Sequence, residues 1–353
     1  MTLKFQNALL VALFALVAAT SSPVVAKRWQ PWSIELERVE LAPNVYAVYD
    51  SLAESWLKDY GASAGTTSGF IVGERGVFVV ESLVNPHLTS QLIRLIKEVT
   101  SKPILYVVNT SYHGDHMYGN YMFPNSTIIQ HEESKNYFEK KLEGDLGFME
   151  NMFGHPEGFD NMDNAIARTG DILVGDDVEV IRVDLGDRIV EVRQFGFGQT
   201  LGDLQVWVPD GKVFWVGNAV VSPKPGVPWL TEGGQQKSLE TLRKIKAFLP
   251  KDAILVSGHS IETKLNNKNN GLDWHIDYLS TLDNKTREAV EQGMDLVETV
   301  DYAAMEKFNG YDLYNWNHKQ MNIPCAYRSH MMAMGKKISE EEIPMMRHCT
   351  NDF

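Results

Sequence analysis

Basic charge is what this chain has little of. It carries 33 Lys and Arg against 46 Asp and Glu, a formal net charge of -13. That balance argues against nucleic acid and against an anionic membrane surface as main partners. Cysteine is scarcer still. Cys325 and Cys349 are the only two, and neither lies near the histidine-rich loop described below. Cysteine therefore offers no obvious nucleophile or metal ligand. No internal repeat, low-complexity tract or clear linker interrupts the chain. What remains is 353 residues, 44% of them hydrophobic, enough to build a sizeable core in one large domain or two modest ones.

Residues 1–26 read as a secretory signal peptide. Lys4 supplies a positive start, Leu9 to Ala19 an apolar stretch, and Val24-Val25-Ala26 small residues for cleavage before Lys27. The stretch is too short and too weakly flanked for a membrane anchor. The expected address is the periplasm or the exterior, with no membrane attachment after cleavage. An oxidising compartment favours a disulfide between Cys325 and Cys349, tying the C-terminal tail to the body. Two free buried thiols are the alternative.

The most informative stretch is Asn109-Thr110-Ser111-Tyr112-His113-Gly114-Asp115-His116. It follows Ile104–Val108, an apolar run that reads as a buried strand. Two imidazoles and a carboxylate within four residues, at a strand exit, can be aimed at one point. Imidazole nitrogen and carboxylate oxygen together suit zinc or a similar divalent metal. Taken alone, the loop is equally a polar turn with surface histidines.

The surrounding pattern gives that loop a setting. Val39 to Tyr49 reads as a strand, and Ser68–Gly73 and Gly76–Val80 read as two more joined by a hairpin turn. His87 to Val99 has apolar residues at helical spacing. Ser126–Gln130 is a short strand, and 132–146 is helical and charged. Phe148 to Asn164, rich in methionine and aromatics, reads as core packing or a loose lid rather than a cofactor site. A second strand-rich block follows, over 177–185, 189–195, 203–208 and 212–216, with turns between. Ser238 to Phe248 is helical. Ala253–Ser257 is a further strand that exits into Gly258-His259-Ser260, the second place where a strand ends on a histidine. Leu272 to Val300 reads as one long helix. Two strand-rich halves of similar layout suggest two sheets packed face to face with helices outside.

In this order the motifs resemble the metallo-β-lactamase superfamily over roughly residues 40–262. Ser111-Tyr112-His113-Gly114-Asp115-His116 is similar to its His-x-His-x-Asp-His loop, and Gly198–Asp203 to its second turn. Phe214-Trp215-Val216-Gly217-Asn218 is similar to its strand with a bridging ligand, and Ser257-Gly258-His259 to its final histidine. The resemblance implies an α/β four-layer αβ/βα sandwich. It implies a fold domain over 27–300, with 301–353 as a tail packed on it.

The departures from the family pattern carry information too. The positions of the three histidines in the usual first metal site hold Ser111, His113 and Gln199, so one histidine remains, and Asn218 stands where the bridging carboxylate is usual. The second-site ligands Asp115, His116 and His259 are all present. The resemblance thus implies one metal, zinc in the first instance with iron or manganese also open, on Asp115, His116 and His259. Three protein ligands leave a position for water, whose pKa the ion would lower. Asp115 would also handle protons. His113, free of metal, would orient water or donate to a developing oxyanion. Ser111, Gln199 and Asn218 would contact substrate or fill the vacated positions. The implied activity is hydrolysis of an ester, lactone, thioester or β-lactam carbonyl in a small-molecule substrate. A non-hydrolytic binding or accessory protein, or a redox metalloprotein on the same fold, is the alternative. Gly226-Val227-Pro228-Trp229-Leu230 would put an aromatic at the pocket rim.

Overall fold

The computed structural model describes residues 33–60, 65–140, 168–230, 232–309, 315–346 and 349. The expected signal peptide and the methionine-rich run over 148–164 lie outside the described residues.

The first sheet has seven strands in sequence order. They are β1 (Leu36–Ala42), β2 (Val45–Asp50), β3 (Ser68–Val72), β4 (Val77–Val80), β5 (Ile104–Val108), β6 (Thr127–His131) and β7 (Ile172–Val174). The strand expected over Val39 to Tyr49 is in fact a hairpin of two. Pro43-Asn44 turns the chain there, with Asn44 at φ 62, a left-handed conformation that Asn tolerates better than most residues. Pairing is antiparallel from β1 to β4 and parallel from β4 to β7.

The second sheet holds six strands, in the order β13-β12-β11-β10-β9-β8. These are β8 (Val180–Asp184), β9 (Ile189–Arg193), β10 (Gln205–Val208), β11 (Val213–Gly217), β12 (Ile254–Ser257) and β13 (Glu262–Lys264). Its one parallel pair is β11 with β12. The short edge strands β7 and β13 carry too little apolar alternation to be read from sequence.

The sheets pack face to face. Val45, Ile71, Phe78, Val80 and Val108 of the first meet Val190, Val192, Val206, Val213 and Trp215 of the second. Because side chains alternate across a strand, Val77 and Val79 point the other way. There they meet Leu88, Leu92, Leu95 and Ile96 of helix α2 (Pro86–Val99), which follows the shorter α1 (Ala53–Tyr60). Asn85 caps α2 by accepting from Leu88 N, and Pro86 sits where its missing N–H costs nothing. A strand buried on both faces reads as an unbroken apolar run, which is why β4 stands out in the sequence; β5 is apolar throughout too, half-buried at Ile104, Leu105 and Tyr106 and buried at Val107 and Val108.

The outer face of the second sheet is covered by three helices. After the one-turn helix α3 (Gly114–Met117) come α4 (Gln235–Phe248) and α5 (Gly271–Glu291), then α6 (Leu296–Tyr302) and α7 (Ile323–Ala333). Phe214, Val216 and Leu255 pack with Leu242 and Ile245 of α4, Leu279 and Leu282 of α5, and Ala326 and Tyr327 of α7. The single helix expected over 272–300 is therefore two. Gly293, at φ 77, breaks it, and Asp295 with Glu298 forms a capping box that restarts it as α6. A π-helical segment Asn315–Asn322 leads into α7, and Cys325 is bonded to Cys349. The result is the four-layer αβ/βα sandwich. Among the described residues no helix is long and apolar enough to cross a membrane.

Candidate metal centre

Parallel strands deliver their following loops to one edge of a sheet, and ligands gather at such carboxyl ends. Here two sheets share that edge. Val80 lies opposite Val108 in the first, so Glu81 and Asn109 leave it side by side. Gly217 lies opposite Ser257 in the second, so Asn218 and Gly258 do the same. Thr66-Thr67 crosses between them. Thr67 N–H donates to Gly258 O at 2.7 Å, and Thr66 Oγ1 donates to Asp115 Oδ2 at 2.5 Å.

At this edge Asp115, His116 and His259 converge. One ligand atom from each lies within 4.8 Å of the others, and all three residues are buried. His259 Nε2 is 3.3 Å from Asp115 Oδ2, His116 Nε2 is 3.6 Å from it, and the two imidazole rings meet edge to face at 5.4 Å. His116 Nε2 is buried and makes no hydrogen bond. A buried imidazole nitrogen without a partner is costly, and a cation between the three donors would satisfy it. One carboxylate and two imidazoles suit zinc, and also iron or manganese. The residues present therefore fit a divalent metal.

The loop around these donors is rigid. His116 O accepts from Ser82 N–H at 2.9 Å and from Asn109 Nδ2 at 2.9 Å. His116 Nδ1 lies 3.0 Å from Glu81 Oε1. Glu81 also accepts from Thr110 N–H at 3.2 Å and from Thr110 Oγ1. It does so from a left-handed backbone, φ 63. Asp115 caps no helix. The residue at the start of α3 is His113, whose side chain makes no cap bond, and Asp115 instead takes the Thr66 hydroxyl.

Electrostatics follow from this packing. Burial pushes the Asp115 carboxyl upward. The neighbouring His116, His259 and His113 charges and the Thr66 hydrogen bond outweigh it and hold the group at about 2. Burial likewise disfavours the imidazolium of His116, but Glu81 and then Asp115 overcome it and raise the group to about 9. A cation binding here would compete with the proton that this raised imidazole favours.

The remaining candidates sit around the triad. Ser111 is buried, and its Oγ accepts from His113 N–H at 3.3 Å. His113 is half-buried and lies outside the triad, with Nε2 4.0 Å from Glu232 Oε1. Gln199 spends its Nε2 donor on Trp229 O at 2.9 Å, leaving a buried Oε1 without a hydrogen bond. Asn218 Oδ1 is also buried without one. A Cβ on Gly258 would stand 2.2 Å from that oxygen, so glycine lets the two strand ends approach. Asp203 gathers the turn by accepting from the N–H groups of Gly198, Gln199 and Thr200. Burial raises its carboxyl despite those bonds.

Sequence reasoning missed Glu81, Thr66 and Glu232. Glu81 left a signal, an acidic residue directly after a buried strand. Thr66 and Glu232 reach the site only through tertiary contacts and left none.

Residues 64–259 match the family described as the metallo-beta-lactamase superfamily. Among solved structures, a metallo-beta-lactamase from Pontibacter korlensis is 14% identical, with TM-score 0.50 over 70% of this chain and 99% of that one. The metallo-beta-lactamase DIM-1 is 13% identical, with TM-score 0.53 over 70% of this chain and 97% of that one. A double mutant of the sec-alkyl sulfatase PisA1 is 13% identical, with TM-score 0.58 over 76% of this chain and 45% of that one. At these identities the likeness is one of fold.

Proposed function

The chain belongs to the metallo-beta-lactamase superfamily, and from that premise we propose that it is a secreted hydrolase holding one divalent metal, zinc in the first instance. Its substrate is a small molecule with an ester, lactone, thioester or β-lactam carbonyl. The observation that carries this reading is the uneven state of the two metal positions. Asp115, His116 and His259 converge within 4.8 Å. The positions that the family pattern gives to a first metal hold a hydroxyl, one imidazole and an amide, and the neutral hydroxyl and amide are poor donors for zinc.

When bound, the ion supplies a Lewis acid and lowers the pKa of water at the site. The chain supplies the rest. Thr66 and Glu81 fix the orientation of Asp115 and His116, which narrows the geometry in which the ion is held. His113, half-buried and outside the triad, would donate to oxygen charge developing on the carbonyl. Asp115, held at about 2, is ionised across the working range and would serve as an anionic ligand that accepts a hydrogen bond from a water at the site and orients it, being too weak a base to keep that water's proton.

Bound metal, measured by elemental mass spectrometry on wild type, His116→Ala and His259→Ala, tests the site. A carbonyl-ester and β-lactam panel on the loaded protein tests the activity. About one equivalent, lost in both variants, with turnover of at least one carbonyl class, is expected. Two equivalents would mean that Ser111 or Gln199 also binds metal. No metal in folded protein offered zinc, manganese and iron would turn the reading to a non-hydrolytic binding protein.

A further inference from the structure

The C-terminal segment, beyond the matched residues 64–259, reaches the metal centre through one loop. Trp229 stacks on the ligand His259, ring centroids 6.0 Å apart and planes at 25°. Its carbonyl accepts from Gln199, so the same residue touches a metal ligand and a vacated position. Trp316, from the π-helical segment Asn315–Asn322, also meets Trp229 edge to face at 6.1 Å.

The loop does not place Trp229 there alone. Val227 and Leu230 on either side are buried in the outer core. Asn322 donates to Pro228 O at 2.8 Å and accepts from Leu230 N–H at 3.1 Å. Tyr278 of α5 stands behind it, its hydroxyl 2.8 Å from Asn322 Nδ2. The loop is thus clamped by the tail, and both indoles remain only half-buried. A π-helical turn costs hydrogen-bond geometry and occurs often at functional sites. Here it brings Trp316 and Asn322 onto the same loop.

We infer that Trp229 and Trp316 form the substrate-recognition wall of this site, selecting a flat apolar group, aromatic or bicyclic, on the acyl side of the carbonyl. Rigid indoles offer large contact area at little conformational cost. An indole against His259 sets that contact beside the metal, where the acyl group of a bound carbonyl would lie. The tail is then part of the active site rather than a support for it. This inference rests on the hydrolase reading for the meaning of "acyl side", and its test separates the two.

The probe is 2-naphthoate, a product-like carboxylate, with acetate as the small control. Binding is followed by quenching of tryptophan fluorescence and by calorimetry on the metal-loaded full chain. Wild type should bind naphthoate more tightly than acetate. Trp229→Ala and Trp316→Ala should each weaken naphthoate roughly five- to tenfold, the scale of one aromatic contact. Acetate should change less than twofold, or about 0.4 kcal/mol. Trp316→Phe should retain most of the preference, which guards against a loss caused by misfolding. Equal affinity of naphthoate and acetate in wild type, or a preference untouched by either alanine, would overturn the wall. Naphthoate selectivity with no turnover of any carbonyl ester would sink the hydrolase reading while leaving the aromatic wall standing.

Discussion

Replacing Glu81 by Gln isolates one oriented contact behind the metal centre. The carboxylate stands 3.0 Å from His116 Nδ1 and fastens the loop at Thr110. Gln has nearly the same volume and accepts one hydrogen bond, so the left-handed backbone and the core are disturbed little. What is lost is the negative charge that raises ligand basicity and fixes the ring. Changes of this kind cost about 10- to 100-fold in metal affinity, or about 1.4–2.7 kcal/mol.

A second effect runs the other way. Glu81 is the largest influence raising His116 towards about 9, so at neutral pH the wild-type metal must first displace a proton. Gln lowers that barrier. The two effects oppose each other near pH 7 and separate above pH 9, where His116 is neutral in both proteins. The ratio of variant to wild-type Kd, measured by competition with a chromogenic chelator, should therefore be larger at pH 9.5 than at pH 7. An equal ratio at both, or undiminished affinity at pH 9.5, would refute the assignment of Glu81 as the partner of His116.

Acid should destabilise the fold through two buried neutral histidines away from the metal. Burial holds His275 down to about 3 and His318 down to about 4, and Val221 N–H donates to His275 Nε2 at 3.2 Å. Above the ordinary imidazole range neither state is protonated. Below it the unfolded chain takes a proton that the folded chain refuses. Each group should then remove up to about 1.4 kcal/mol of stability per pH unit between about 6.5 and its folded value. Urea midpoints at pH 7 and pH 5 should fall together in wild type and fall less in His275→Gln; parallel slopes would rule His275 out. Gly258→Ala should cost about 1–3 kcal/mol by overpacking against Asn218 and weaken metal binding through His259, read from melting and metal content together. Chelation should lower the wild-type melting temperature, by about 2.7 kcal/mol of stability where free metal had stood at 100 times Kd. It should leave Asp115→Asn unmoved, and an equal shift in that variant would place the stabilising ion elsewhere.

Local order carried far into this fold. Strands β4 and β5 were legible because both read as continuous apolar runs, β4 buried on both faces and β5 buried where it reaches the site edge at Val107 and Val108. The loop after β5 was legible because Asp115 and His116 are neighbours in the chain. The alternate spacing of Ser111, His113 and Asp115 let the loop be set against the family pattern, in which Ser111 stands at a histidine position. By itself the sequence determined the layer pattern, the candidate donors and the residue types, Ser111 and Gln199, at two positions where the family pattern has histidine. All of these depend on residue type and spacing. Tertiary structure alone decided which groups complete the centre. Glu81 meets His116 because β4 and β5 pair in parallel with Val80 opposite Val108. Thr66 reaches Asp115 across 49 residues. Trp316 lies beyond the matched region, yet it meets Trp229 because the tail packs on α5 and Asn322 clamps the Trp229 loop. Such contacts are set by strand register and by how layers stack, and neither leaves a trace in local periodicity.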